Sequence, residues 1–370
     1  MTETRIRSSS LPLGSILDRY LAAGFVRIFF LSLTVVTLLY VTVDFFDRIG
    51  RLLDAGVPLQ TVARYFAYKA PLLISRVIGF ATLFSTLFCL GMLARTHEIT
   101  AIRSSGISVQ RLALPLFILS LFICGFTFVW NETLVPVFAH RAQTIYLTEI
   151  RSKQQKSLLG TDDIWIRGEN SFINVERFDA RQGTLEKITI FRLQRDFTLS
   201  ALVEIPRAQW SGNGWQTSRA VEWDLRGEEP LTQREVDATL PITETPSDLK
   251  LLAREAEEFT YFDLQKQIAD MKSKGLDTTA YQVDLQSKIA FPLISPLMVL
   301  LAIPFAIKRQ LSGNLSLSFG IAMMIGFSYW VLAAFCISLG HSGALPYWAA
   351  AWIPNAIFTM IGLYFFTAEA

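Results

Sequence analysis

Charged side chains are scarce inside the longest apolar runs of this sequence, so those that occur there are the first candidates for chemistry. Lys69 and Arg76 fall within one such run, and Asp44-Phe-Phe-Asp-Arg-Ile-Gly-Arg51 closes another. A cation at a bilayer centre costs at least ~2.5 kcal/mol, less near the edge, so such residues face protein, a cavity or the interface. The planar fork of arginine binds phosphate or carboxylate groups through paired hydrogen bonds, which makes Arg48, Arg51 and Arg76 candidates for holding an anion. Two plainer readings stand beside this one. Arg76 can snorkel outward along its own stem, and Asp47, Arg48 and Arg51 can be ordinary interfacial charges.

A second constellation is Gly91-Met-Leu-Ala-Arg-Thr-His-Glu-Ile-Thr-Ala-Ile-Arg-Ser-Ser-Gly106, between two apolar runs. It reads as a short helix with Met92, Leu93, Ile99 and Ile102 on an apolar side, ended by Gly106. Arg95 and Glu98 sit three apart and can pair at its surface, with Arg103 further on. A helix lying across the membrane face suits transmission of a push from a partner; the pattern alone favours simple anchoring of the loop.

Other chemistries lack their residues. There is no G-x-x-x-x-G-K-[ST], no G-x-S-x-G and no H-E-x-x-H, and His97, His140 and His341 are scattered. Cys89, Cys124 and Cys336 all lie in apolar runs, so neither a disulfide framework nor a zinc ligand set is available. Catalysis by this polypeptide, and a metal or cofactor bound to it, are not expected. A formal net charge of +2 gives no footprint for nucleic acid.

The elements that must position these residues are membrane helices. Of 370 residues 51% are hydrophobic and 18% charged, and the apolar ones are gathered in runs rather than stripes. Runs of about 20 residues match a hydrocarbon core of ~30 Å. Spans are expected at 21–46, 67–94, 112–132, 288–307, 315–339 and 346–367, and the first is too long for a cleaved signal peptide. Pro292, Pro296 and Pro304 in the fourth predict bending, with or without a gating role. Trp130 suits an interfacial position. Arg5, Arg7, Arg19, Arg95, Arg103, Arg111, Lys308 and Arg309 lie on one side, against Arg48, Arg51 and Arg64 on the other. That bias predicts both termini in the cytoplasm and residues 133–287 outside, which in a bacterium with two membranes is the periplasm.

Residues 160–245 read as β: Ile164-Trp165-Ile166 before Gly168, Phe172–Phe178, Lys187–Leu193, Ala201–Ile205, and a hairpin tip at Trp210-Ser-Gly-Asn-Gly-Trp215. Short strands at regular intervals predict a sandwich or jelly roll. Residues 133–157 extend the third span as helix. After Pro246 the pattern is helical again, with Thr260 capping a helix that carries Leu264, Ile268 and Met271, Gly275 ending it and Asp277 opening the next. The expected fold is six transmembrane helices with an inserted all-β, jelly-roll-like periplasmic domain. Its parts are a first half (1–132, coupling loop about 91–106), the β domain (133–257) and a connecting helix with the second half (258–370).

Several motifs in this order resemble a known family. They are Leu17-Asp-Arg-Tyr20, Gly91-Met-Leu-Ala-Arg-x-x-Glu98 with Ser105-Gly106, Trp165-Ile-Arg-x-x-Asn-Ser-Phe-Ile-Asn-Val-Glu-Arg177 and Lys288-Ile-Ala-Phe-Pro-Leu. Together they resemble the lipopolysaccharide-export permeases LptF and LptG across essentially the whole chain, and LptG more closely. The resemblance implies a non-catalytic subunit in the inner membrane that pairs with an LptF-like permease. An LptB-like ATPase dimer would consume the ATP, and LptC-like and LptA-like proteins would form a periplasmic bridge. It also implies that residues 91–106 are the coupling loop, with Glu98 contacting the ATPase beside Arg95 and Arg103, and that lipid enters between the first and fifth helices. Relatives often carry lysines near the outer end of the first helix for the phosphates of lipopolysaccharide. Here Arg48 and Arg51 are offered, with Asp44 where a cation is expected. Either the arginines compensate or the contact lies elsewhere, at Arg141. Two rival functions remain: an ABC subunit that transmits force to periplasmic partners and moves no lipid, and a membrane enzyme or scaffold.

Overall fold

The structure is a computed structural model that describes residues 15–54, 57–151, 164–167, 171–179, 183–194, 198–212, 214–217, 219–225, 232–236, 256–273, 277–308 and 315–369. Arg5, Arg7, Gly168, Asn213, Gly275 and Arg309 lie outside the described residues, as does the side chain of Arg51. Two compact units emerge. One comprises Met1–Leu53, Val57–Glu149 and Ala256–Ala370; the other comprises Asp54–Gly56 and Ile150–Glu255.

The first unit is helical: α1 (Ile16–Asp54), α2 (Leu59–Arg95), α3 (Glu98–Ser104) and α4 (Val109–Ile145), which runs on into a π-helical turn, Tyr146–Arg151. The chain re-enters it through a 3-10 turn (Ala256–Glu258), followed by α5 (Tyr261–Ser273), α6 (Thr279–Ala290), α7 (Ile294–Lys308), α8 (Leu315–His341) and α9 (Tyr347–Glu369). α1, α2, α4, α8 and α9 are long and apolar enough to cross a membrane; α6 and α7, bent by 55° at their junction, add a sixth span if the pair is counted as one.

Local chemistry explains the ends and the bend. Ser15 and Asp18 cap α1 reciprocally, each accepting the other's backbone N–H, at 3.3 and 3.1 Å. Thr260 accepts the Asp263 N–H at 3.1 Å, and α5 buries Leu264, Ile268 and Met271, as its spacing predicts. Between α6 and α7 the chain breaks at Phe291-Pro-Leu293. Proline has no N–H to donate and its ring clashes with the preceding turn. The Ala290 carbonyl instead accepts from Asn355 Nδ2 of α9 at 2.8 Å, while Asn355 Oδ1 accepts from the Tyr329 hydroxyl of α8 at 2.7 Å. In lipid such a carbonyl must find a partner within the protein.

α2 is the central post, packed against α4, α7 and α8. Buried residues make up 72% of its apolar stretch but only 6% of that of α1. Leu73, Leu83, Leu87 and Leu90 of α2 are fully enclosed. Gly79 and Gly326 mark the closest approaches, since an added Cβ would overlap Ile294 or Phe80. Small residues at such crossings let helix backbones pack in the absence of a hydrophobic driving force. α1 by contrast exposes Phe30, Leu31, Leu38, Leu39 and Phe46, and α8 exposes Met324, Phe327 and Phe335.

The second unit is one antiparallel sheet among the described residues. Its strands are β1 (Ile164–Arg167), β2 (Ser171–Asp179), β3 (Thr184–Leu193), β4 (Leu199–Trp210), β5 (Trp215–Thr217), β6 (Ala220–Asp224) and β7 (Thr232–Val236). The order is β1-β2-β3-β4-β6-β7, with β5 on the remaining stretch of β4. Ile173, Val175, Ile188, Ile190, Val203 and Ile205 alternate into one buried cluster. The expected hairpin forms: Trp210 faces Trp215 across β4 and β5, rings 5.3 Å apart and edge to face. β6 and β7 fall within residues 160–245, which read as β, beyond the individual strands singled out there.

Candidate functional site

The loop from Gly91 to Gly106 is two pieces rather than one helix. Gly91–Arg95 is the last turn of α2; the chain breaks at Thr96 and His97, the latter left-handed at φ 61°, and α3 begins at Glu98. Ile99 is fully buried in the main core and Leu93 nearly so, with Ile102 partly covered, whereas Met92 is exposed. Because the helix is interrupted between Arg95 and Glu98, their i,i+3 contact does not form. The Glu98 carboxylate accepts instead from the Tyr20 hydroxyl of α1 at 3.1 Å and from Thr96 Oγ1 at 2.7 Å. Arg95 and Arg103 are exposed. α3 is thus a short step seated at the end of the central post through Ile99, presenting Glu98 and Arg103 beside Arg95 of α2.

At the same end, Asp18 of α1 accepts from both terminal nitrogens of Arg111 of α4, at 2.7 and 2.8 Å. This bidentate pair is largely buried, with side chains 10% and 15% exposed. Leu17 packs against the main core and Leu21 is enclosed in it.

At the opposite end the cations resolve into three settings. Asp44 is held by Lys69 of α2 at 2.7 Å and by Arg48, one turn further along α1, at 3.2 Å. The carboxylate that would repel phosphate is therefore neutralised, and the trio retains one net positive charge. Arg141 of α4 is exposed, its guanidinium 5.8 Å from the centre of the Tyr68 ring. Arg51 lies in the last turn of α1.

Arg76 lines a cavity of about 320 Å³ between α2, α4, α6 and α8, at the end where the chain returns from the insertion. It pairs with Glu257 at 2.8 Å. Lys288 of α6 shares the cavity and donates to the Phe259 carbonyl at 2.8 Å, and Asp284 pairs with His341 of α8 at 2.8 Å. Asn131 Oδ1 is a buried acceptor there with no partner among the described residues. Sequence reasoning singles out Arg76 and Lys69 but not Asp284 or Glu257. The available signal was Asp284 and Lys288, an i,i+4 pair at the mouth of an apolar run. The return segment is fastened further by Glu132, which accepts the Tyr261 N–H, and by His140 against Glu258 at 2.8 Å.

No group of three or more metal-ligating side chains occurs among the described residues. The arrangement offers positive groups and a largely apolar cavity edged by charged side chains at one end of an apolar bundle, and a seated charged step at the other.

Comparison with known proteins is consistent along the whole chain. The chain is 24% identical over 363 residues to the lipopolysaccharide export system permease protein LptG of Escherichia coli (strain K12), covering 95% of this chain and 98% of that one. Against the protein of the same description from Haemophilus influenzae it is 20% identical over 348 residues, covering 93% and 96%. The family model for lipopolysaccharide export system permease LptF/LptG matches residues 19–368. With several apolar helices of spanning length and an antiparallel sheet between its halves, this chain belongs to the LptF/LptG family of lipopolysaccharide export permeases.

Proposed function

We propose that this chain is an LptG-like transmembrane subunit that takes lipopolysaccharide from the outer leaflet of the inner membrane and passes it to a periplasmic bridge. Six spans carry it, the fourth being the bent α6–α7 pair. Both termini lie in the cytoplasm, and the central domain, a jelly roll, lies in the periplasm. The functional parts are residues 1–132, 133–257 and 258–370. An LptF-like chain completes the pore, an LptB-like dimer hydrolyses ATP, and LptC-like and LptA-like proteins receive the lipid. No cofactor is held by this chain.

In this reading Glu98, Arg95 and Arg103 meet the ATPase, and Arg48, Arg51, Arg76 and Arg141 meet the phosphates of the substrate. Acyl chains cannot cross water unshielded, because exposure costs about 0.8 kcal/mol per CH₂. The work therefore comes from the ATPase, delivered through the loop. The observation that supports this most is the seat of α3: Ile99 is fully buried at the end of the central helix while Arg95 and Arg103 remain exposed. A push on that step moves α2 as a unit.

The test is Glu98→Ala in the purified complex. ATPase recovery or the lipid moved per ATP should fall severalfold with membrane insertion intact. Normal transport and normal recovery would remove Glu98 from the coupling role.

A further inference from the structure

The Leu17-Asp-Arg-Tyr20 motif places two fastenings of α1 within three residues, one at Asp18 and one at Tyr20. α1 packs little along its apolar length, so its fastenings matter. Asp18 fixes its first turn to Arg111 at the start of α4 by two short, largely buried bonds. Tyr20, two residues on and 53% exposed, reaches the first residue of α3 with a single bond of 3.1 Å to Glu98. One fastening is bidentate and shielded from water; the other is single and open to it. The first serves as a pivot and the second as the contact that transmits or yields.

We propose that Tyr20 is a positioning residue for coupling: its hydroxyl ties Glu98 to α1, so that displacement of α3 reaches α1 directly rather than only through α2. A carboxylate has about four acceptor sites. Tyr20 takes one on Oε2 and Thr96 one on Oε1, which leaves room for a cation from a partner without breaking either bond. The two hydroxyls set the direction in which Glu98 faces that partner. α1 exposes most of its apolar stretch, so beyond Leu21, Phe25 and Phe29 at one end and the Lys69–Asp44 pair at the other, few contacts oppose its displacement about the Asp18–Arg111 pivot when α3 moves. The inference rests on the reading of Glu98 as the coupling residue and adds the route by which the motion leaves it.

The experiment uses the whole complex, purified from membranes and reconstituted with lipopolysaccharide, and compares Tyr20→Phe, Glu98→Ala and the double variant. Tyr20→Phe keeps the ring and removes only the hydroxyl. It should leave ATPase recovery and the hydrolysis rate unchanged while lipopolysaccharide released per ATP falls about fivefold, the ratio carried by one modest hydrogen bond. In the Glu98→Ala background the same change should add nothing, because the hydroxyl then has no carboxylate to hold. Full export by Tyr20→Phe beside a defective Glu98→Ala overturns the inference and leaves the coupling reading standing. An equal further loss in the double variant overturns it too, since Tyr20 would then act apart from Glu98. Loss of ATPase recovery in Tyr20→Phe assigns the residue a structural role and also overturns it. A silent Glu98→Ala overturns the coupling reading itself.

Discussion

Lys69 Nζ lies 2.7 and 3.0 Å from the two carboxylate oxygens of Asp44, tying α2 to α1 near the end opposite α3. Both side chains are largely covered, at 11% and 16% exposure. If substrate phosphate is met here as proposed, this carboxylate does not stand against it: Asp44 is already engaged by Lys69, and Arg48 joins it. The acid organises two cations rather than opposing them.

Removing one partner of such a pair is costly because it strands the other charge away from water. Asp44→Ala should destabilise the folded chain by on the order of 3 kcal/mol. The double variant Asp44→Ala, Lys69→Met should recover much of that loss. Thermal unfolding of the detergent-solubilised protein reads both. Additive losses in the double variant would mean that the two groups do not interact.

The bend between α6 and α7 depends on Asn355. Asn355→Leu leaves the Ala290 carbonyl and the Tyr329 hydroxyl without their partner, at about 1–3 kcal/mol for each stranded group. Tyr329→Phe should cost less, since Asn355 still reaches Ala290. The ranking of the two unfolding temperatures is the check, and a Tyr329→Phe variant weaker than Asn355→Leu would contradict it.

Arg76 and Lys288 supply the positive charge of the cavity. If Arg76 meets a substrate phosphate, Arg76→Gln should lower the lipopolysaccharide retained on the purified complex about tenfold, the worth of one hydrogen bond between charged groups. Quantitative mass spectrometry of the extracted lipid measures it. Arg48→Gln and Arg141→Gln, assayed alike, rank the other two cations, and any variant with undiminished retention leaves the substrate set.

The uncovered faces of α1 and α8 separate lipid transport from pure force transmission. Photoreactive residues at Phe30, Leu38, Phe327 and Phe335 should yield lipopolysaccharide adducts in cells, with weaker adducts when ATP hydrolysis is blocked. Adducts to protein alone at all four positions would favour the force-transmitting subunit.

Much of the helical framework was legible because apolar runs report directly on the solvent that surrounds them. Their lengths were less so. α2 begins at Leu59, ahead of the residues that hydropathy marks, because its first turns are held by protein contacts such as Arg64 with Glu149 at 2.6 Å; the continuation of α4 to Ile145 follows the helical pattern read beyond residue 133. The bend followed from Pro292, but its cap by Asn355 did not, since 65 residues separate Asn355 from Ala290. The same limit governed the loop. Sequence proximity pairs Arg95 with Glu98, whereas the actual donors to Glu98 are Thr96, across the break in the helix, and Tyr20, 78 residues away. β6 and β7 lie within the stretch that reads as β but do not stand out as separate strands, because Glu222, Asp224, Arg234 and Glu235 break the apolar alternation by which a strand is recognised.

The helices of the two halves differ in length. α1, α2 and α4 have 39, 37 and 37 residues, against 27 and 23 for α8 and α9. At 1.5 Å per residue the former are about 55 Å long and the latter ~35–40 Å, while the oily layer is only ~30 Å deep. Unless steeply tilted, the first three must stand clear of the bilayer by roughly 25 Å each. A greasy molecule climbing out along them would still have a banister beside it after its tails had left the oil.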